Sequence, residues 1–458
     1  MAKYEQLAQK ILNDIDTGRL QAGDKMQSLR HFAKSHQISM STAVSCYAEL
    51  ESRGIIQSRP KAGFYVTTTP KLQPLRWQSF QSISTSPKIT EIVAAKPVTG
   101  PLGISMLHLD EATQKDLARS LKRATRKTAR LLMQYPQGQG EPELREALAN
   151  HFNQIGFSFH PDELIITAGC MDAVKIALSV CSKPGDTIAV SSPCYHGLLA
   201  LLAASSLNVI EIPSCEDGID LDQLEALLKQ QSIQVGLFCT THMNPQGLTL
   251  STQQKQQLAR LANHYQIPII EDDVYLELSH NQHHPLPATY YDTQGYMLWC
   301  SSISKSISPS YRIGWCRPGR YYQAYAQKSM GIATLIQYTL ADFIQSGSYT
   351  RHLKRACYQL HLRQQQYLTY LAQHLPNDCS VTQPEGGLVL WIDIPRLNSH
   401  TFSIAAYQAH LDIYTGPMFT LSSRYQHCLR INIGFPIEQK SVQTALKTFI
   451  QLITQNLK

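Results

Sequence analysis

The 458-residue chain contains no run of about 18 apolar residues, so no membrane-spanning helix is expected. Its opening, Met1-Ala2-Lys3-Tyr4-Glu5-Gln6, lacks the apolar region of a secretory leader. Among 11 cysteines there is no Cys-x-x-Cys pair and no spacing with histidine that suits a metal. No metal site is therefore expected. Cysteines in apolar or turn contexts, such as Cys170, Cys181, Cys194, Cys215 and Cys239, read as small buried hydrophobes of a reducing cytoplasm. Charge is sparse at 16% while hydrophobic residues make up 43%, which excludes the disordered class. Internal repeats and low-complexity tracts are missing too, and the length suggests two or three domains. The net charge is only +7, yet residues 1–105 hold 13 Lys/Arg against 7 Asp/Glu. A basic first quarter on a near-neutral body points to an anionic partner, nucleic acid first.

The head of the chain is periodic. Tyr4, Leu7, Ala8, Ile11, Leu12 and Ile15 form a helical stripe ending near Gly18. Ser28 precedes a second short helix, and Ser39 is placed to cap a third that carries Ala43, Val44, Tyr47 and Leu50. Ile55 to Arg59, a turn at Pro60 to Gly63, and Phe64-Tyr65-Val66 read as a two-stranded hairpin. Three helices and a hairpin make a winged helix-turn-helix, whose third helix can enter the major groove. The alternative is a small helical domain that binds a protein partner. Residues 1–67 resemble the GntR-type DNA-binding domain, through Gly18-Arg19-Leu20, Gly23-Asp24, Ser28-Leu29-Arg30, Leu50-Glu51-Ser52-Arg53-Gly54 and Gly63-Phe64-Tyr65-Val66. Gln27 and Met40 depart from that pattern, where proline and arginine are usual. The resemblance implies double-stranded operator DNA as partner, with Arg30, Ser41, Thr42, Ser45, Arg59 and Lys61 as expected contacts.

Residues 68–104 lose periodicity and carry Pro70, Pro74, Pro87 and Pro97, the composition of an interdomain linker. From 105 onward strands and helices alternate, the pattern of a three-layer α/β domain with ligand groups at strand ends. Residues 105–320 are expected to form this large domain and 321–458 a smaller α+β domain.

Five clusters in the body carry chemistry. Ala168-Gly169-Cys170-Met171-Asp172 turns from a strand into a helix, a natural phosphate seat, although Cys170 and Met171 are poor side-chain donors. Pro193-Cys194-Tyr195 offers an aromatic ring after a strand, with a plain turn tyrosine as the alternative. Asn244-Pro245-Gln246-Gly247 is a polar turn, and His242 beside it reads as structural. Glu271-Asp272-Asp273-Val274-Tyr275 ends a strand in carboxylates. Ser301-Ser302-Ile303-Ser304-Lys305 places one lysine among hydroxyls, and Arg312 follows seven positions on. A lysine forms a Schiff base with a carbonyl cofactor, and a guanidinium grips phosphate.

Taken in order, these clusters resemble the fold-type-I aminotransferases. Behind a GntR-type head, they are similar to the MocR subfamily of GntR regulators. The resemblance implies pyridoxal 5'-phosphate as cofactor, bound to Lys305 as a Schiff base. It assigns Asp272, by the Asp-x-x-Tyr spacing, to the pyridine nitrogen and Tyr195 to the ring face. Asn244 and Tyr275 fall to the phenolate oxygen. Gly169, Cys170, Met171, Ser302 and Arg312 fall to the phosphate. Tyr135, in Tyr135-Pro136-Gln137-Gly138, would reach the phosphate of a neighbouring subunit, which implies a homodimer, with a head-to-tail domain-swapped arrangement as one form. Arg430, in Leu429-Arg430-Ile431-Asn432, would clamp a substrate α-carboxylate. The expected function is a cytoplasmic transcription regulator sensing an amine, an amino acid or a B6 vitamer, with an active aminotransferase as the alternative.

Overall fold

The computed structural model describes residues 3–52, 55–59, 62–67, 72–85, 99–280 and 284–457. The apolar stripe at the start folds as α1 (Lys3–Asp16), followed by α2 (Leu29–Ser35) and α3 (Met40–Ser52). Ser28 Oγ accepts from His31 N at 3.2 Å and Ser39 Oγ from Thr42 N at 3.1 Å. Each serine thus satisfies one of the amides left free at a helix start. Strands β1 (Ile56–Arg59) and β2 (Gly63–Val66) pair antiparallel as the wing. Ala8, Phe32, Ala43, Tyr47, Leu50, Ile56 and Val66 form the common core. The three-helix-plus-hairpin expectation is what the chain adopts. Pro60 and Lys61 of the wing turn lie outside the described residues.

Within the segment expected to be an open linker, the described residues 72–85 and 99–104 pack on the body. Gln73 bridges Ser380, and Gln223 holds Ser82 N at 2.9 Å and the Phe80 carbonyl at 2.9 Å. The Arg424 guanidinium lies 3.5 Å from the Phe80 ring centroid. The two-residue strand β3 (Ser84–Thr85) then joins the edge of the large sheet. An edge strand presents unpaired N–H and C=O groups, and a passing extended segment is a ready partner for them. Further on, Thr99 N and Gly100 N donate to Asp412 Oδ2 at 2.9 and 2.8 Å. Leu102 is fully buried in the core of the small lobe. Composition reported the prolines of this stretch but not the surfaces waiting for it.

The body begins with helices α4 (Glu111–Thr128) and α5 (Pro142–Gln154). Strand β4 (Ile165–Thr167) leads into α6 (Cys170–Cys181), and β5 (Thr187–Ser192) into α7 (His196–Ala204). Next come β6 (Asn208–Cys215), β7 (Gly218–Ile219), α8 (Leu221–Lys229), β8 (Val235–Phe238) and α9 (Thr252–Tyr265). Strands β9 (Ile269–Asp272), β10 (Met297–Ser302) and β11 (Gly314–Arg317) complete the sheet, whose order is β3-β6-β5-β8-β9-β10-β11-β4. Strands β5, β6, β8, β9 and β10 are parallel to their neighbours in this set, and β11 is antiparallel to both β10 and β4. The carboxyl ends of β4, β5, β8, β9 and β10 therefore open on one side, where ligands bind in such sheets.

Helices α10 (Tyr322–Lys328) and α11 (Thr334–Gln345) stay with the large lobe. Tyr325 OH donates to Ala173 O at 2.9 Å, and Gln337 Oε1 accepts from Glu141 N at 2.7 Å. The 27-residue α12 (Ser348–His374) carries the chain across to the small lobe, so we place the lobe boundary within it rather than at 320. That lobe holds strands β12 (Ser380–Val381), β13 (Val389–Asp393), β14 (Tyr414–Thr415) and β15 (Cys428–Asn432). Its sheet order is β12-β13-β15-β14, packed with α13 (Ser399–Gln408) and α14 (Lys440–Asn456). No described helix is long and apolar enough to cross a membrane.

Candidate functional site

The strand ends enclose a cavity. Cys170, Met171, Tyr195, Asn244, Asp272, Tyr275, Ser302, Lys305 and Arg312 line it, with Cys194 and Cys239 alongside. Sequence separations of well over a hundred residues collapse here because every one of these side chains follows a strand of the same sheet.

The floor is Asp272, the last residue of β9. Side chains alternate along a strand, so Asp272 and Asp273 face opposite ways. Asp272 lines the cavity and accepts from the Cys170 thiol at 3.1 Å. Asp273 turns into the core, where Trp299 Nε1 donates to it at 3.0 Å. Burial raises the Asp272 pKa, opposed by the Cys170 hydrogen bond and then by the Lys305 charge. Asp273 is pushed up to about 8, first by burial and then by neighbouring Glu271.

Lys305 follows β10. Burial lowers its pKa to about 8, and the Arg430 charge pushes the same way. Its Nζ donates to the carbonyl oxygen of Ser105 at 2.9 Å. Asn244 Nδ2 approaches Tyr275 OH at 3.4 Å, and Tyr275 OH pairs with Ser105 Oγ at 3.0 Å. His242 sits outside this set: its ring nitrogens bond Ser279 Oγ and Thr249 Oγ1, both at 2.9 Å, and burial holds its pKa far down.

At the start of α6, Gly169 has φ +97° and a Cβ there would lie 3.0 Å from Arg312 Nη2. Opposite it, a Cβ on Gly314 would meet Gly169 C at 2.5 Å and Cys170 N at 2.7 Å. Only glycine allows β11 to approach this turn so closely. Arg312 Nη2 donates to Ala168 O at 2.8 Å, and Asp172 Oδ2 accepts from Ala168 N at 3.1 Å. Ser302 Oγ accepts from Ser304 N at 3.3 Å.

Arg430 on β15 is 1% exposed, and its Nε and Nη1 have no partner among the described residues. Its Nη2 donates to Gly103 O, and the guanidinium stands 4.7 Å from the Tyr414 ring centroid. A buried fork with free donors is costly unless an anion completes it. Tyr135, by contrast, is fully exposed and lies outside the cavity of its own chain.

Nothing in the sequence signalled that the carbonyls of Gly103 and Ser105 would occupy Arg430 and Lys305, because a backbone acceptor has no residue signature. Nor did it point to Tyr414 or to the Cys170–Asp272 bond. His196, left unassigned, packs 4.5 Å from Tyr414; burial and then the Arg430 and Lys305 charges hold its pKa near 4. The donor set fits a planar, phosphate-bearing aldehyde. It combines a weakened lysine, a buried carboxylate, an aromatic ring and a helix start whose glycine leaves room beside Arg312.

On the head, Arg30, Ser41, Ser45 and Arg59 are exposed. Arg59 stacks 4.3 Å from the Tyr65 ring centroid. Thr42 is half-buried, and its hydroxyl lies 2.8 Å from that of Ser39.

The family model for class I and II aminotransferases matches residues 101–448, and that for gntR-family bacterial regulatory proteins matches residues 3–66. The HTH-type transcriptional regulator YdcR of Escherichia coli (strain K12) is 30% identical over 469 residues, covering all of both chains. YjiR of the same organism, also an HTH-type transcriptional regulator, is 31% identical over 470 residues, with 98% of each chain covered. The α-aminoadipate aminotransferase LysN of Thermus thermophilus superposes with a TM-score of 0.71 at 20% identity, over 81% of this chain and 95% of that one. The last likeness shows the fold alone. A winged-helix head and an α/β body matched in this order identify the chain as a member of the GntR family of regulators, in the MocR-type architecture that fuses the head to an aminotransferase class I and II domain.

Proposed function

We propose that this chain is a cytoplasmic transcription regulator that binds pyridoxal 5'-phosphate and senses an amine, an amino acid or a B6 vitamer. The observation that carries the reading is the convergence of Lys305, Asp272, Asn244, Tyr195 and Arg312 in one cavity behind a GntR head. Bound there, pyridoxal phosphate would supply an aldehyde carbon for reversible capture of a primary amine and a ring that withdraws electrons.

Lys305 would hold the cofactor covalently. With its pKa lowered to about 8, about a tenth of it is neutral, nucleophilic amine at pH 7. Asp272 would keep a proton on the ring nitrogen, and Tyr195 would cover one ring face. Asn244 and Tyr275 would serve the phenolate oxygen. Gly169, the backbone N–H groups of Cys170 and Met171, Ser302 and Arg312 would seat the phosphate. A second copy would add Tyr135; its full exposure, with Met133 and Met330 exposed as well, supports a homodimer.

An effector carboxylate would take Gly103 O's place on Arg430. Release of Lys305 from Ser105 O would loosen the same segment at a second point. That segment continues from the strap that leads to the head, so its movement offers a route to DNA affinity. Such coupling requires an effector that binds the two arrangements unequally. The test is promoter-fragment binding by wild type and Lys305→Ala, each with and without cofactor and a panel of amines. Affinities that ignore cofactor and every amine would refute sensing.

A second reading, an active aminotransferase, is favoured by the free Arg430 donors close to Lys305. Sustained turnover of an amino acid with a keto acid, at about 1–10³ s⁻¹, would establish it; a single stoichiometric half-reaction would not.

A further inference from the structure

Helix α3 has two faces of different chemistry. Ala43, Cys46, Tyr47 and Leu50 are buried in the head's core. Met40, Ser41, Val44, Ser45 and Ala48 point outward on the opposite side, at the i, i+1, i+4, i+5, i+8 spacing of one helix face. Met40 is 46% and Val44 47% exposed, so one helical turn presents two neighbouring apolar side chains to a partner. The helix carries no lysine or arginine.

The head's cations lie elsewhere. Arg30 and Lys34 belong to α2, and Arg59 is on the wing, stacked on Tyr65. Those positions suit phosphate contacts, which fix register without reading sequence. Reading guanine in the major groove calls for a forked cation, whereas a thymine presents a C5-methyl group to apolar side chains. The α3 hydroxyls are partly engaged already: Ser41 Oγ and Thr42 Oγ1 each lie 2.8 Å from Ser39 Oγ. Beside Ser45, the outward face presents the apolar side chains of Met40, Val44 and Ala48. Four residues of helix advance about 6 Å, close to two base-pair steps of about 3.4 Å.

We propose that α3 reads its operator through apolar contact of Met40 and Val44 with thymine C5-methyl groups about two base pairs apart, cations serving the phosphates alone. This rests on the DNA-binding half of the reading above and not on the cofactor.

The experiment starts with selection of sites from a random duplex pool by the full-length protein. Each thymine of the preferred site is then replaced in turn by deoxyuridine, which removes the methyl and keeps the pairing. Two positions per half-site should lose about three- to fivefold in affinity, the worth of burying one methyl. Val44→Ala should become indifferent to uracil at one of them and Met40→Ala at the other, while Ile404→Ala, an equally exposed apolar residue on α13 of the small lobe, keeps both effects. Both apolar residues are half-exposed, and circular dichroism checks that the variants are folded. Enrichment of no site, recognised positions that are guanines, no thymine–uracil difference, or a difference that survives both substitutions would each overturn the proposal. Selection with Lys305→Ala in parallel separates the two readings: a change confined to that variant bears on the cofactor's role alone and leaves methyl reading standing, whereas loss of the thymine–uracil difference in the wild type overturns methyl reading alone.

Discussion

Lys305 Nζ and the carbonyl oxygen of Ser105 are joined by a 2.9 Å hydrogen bond across 200 positions of sequence. The amine at the centre of the cavity is thus held by the segment through which the chain enters the body. Two residues earlier, Gly103 O holds Arg430. Lys305 and Arg430 thus answer to one short stretch of backbone.

Lys305→Ala should remove the visible absorbance of lysine-bound pyridoxal phosphate while leaving far-UV circular dichroism and cofactor-free DNA binding unchanged. The side chain contributes a desolvated cation rather than packing, so the thermal midpoint should move by only a few degrees, as for about 1 kcal/mol. Retained absorbance would show that another amine carries the cofactor.

Arg430→Met should separate effectors by chemistry. A buried guanidinium–carboxylate pair is worth about 2–5 kcal/mol when one partner is removed. Spectral titration should therefore show α-amino acids losing about 30-fold or more in affinity. The corresponding decarboxylated amines should change little. Equal losses for both would mean that Arg430 supports the fold of the site and does not meet a carboxylate.

Cofactor capture should depend on pH with a known sign. The Lys305 pKa is lowered from 10.5 to about 8, by burial first and Arg430 second. The neutral amine is the nucleophile, so the rate of pyridoxal phosphate incorporation should rise about tenfold from pH 6 to 7 and level off above about 8. Arg430→Met should move that midpoint upward. Between about 8 and 10.5 the unfolded chain binds more protons at this lysine than the folded one, so its contribution to stability grows as pH rises through that window. Stopped-flow absorbance and pH-resolved melting check the two halves.

Cys170→Val should weaken cofactor binding by about fivefold, the effect of losing roughly 1 kcal/mol of hydrogen bond to Asp272. Cys170→Ser should recover most of it, since a hydroxyl also donates. Equilibrium dialysis of pyridoxal phosphate decides between them; a valine variant equal to wild type would leave the thiol without a role.

Local pattern was enough to read the winged head, the alternating α/β body and the order of the cavity residues. Helical stripes, strand runs and turn motifs are short-range signals, and each motif here sits at the end of its own strand. Lys305, Asn244, Tyr195 and Arg430 were singled out by resemblance to family motifs; the structure brings the first three to one cavity and sets Arg430 on β15.

Only the tertiary structure decided what those residues meet. The alternation of β9 turned Asp272 into the cavity and Asp273 toward Trp299. The open edge of β6 gathered Ser84 and Thr85 out of a stretch that composition marks as loose linker. Helix packing kept residues up to Gln345 with the large lobe. The hold of Gly103 and Ser105 on Arg430 and Lys305 was invisible beforehand, because a carbonyl oxygen belongs to every residue and only the folded path selects which one arrives. Sequence determined which chemical groups this protein owns; long-range packing, where backbone acceptors and strand edges find distant partners, decided how they are held before any ligand binds.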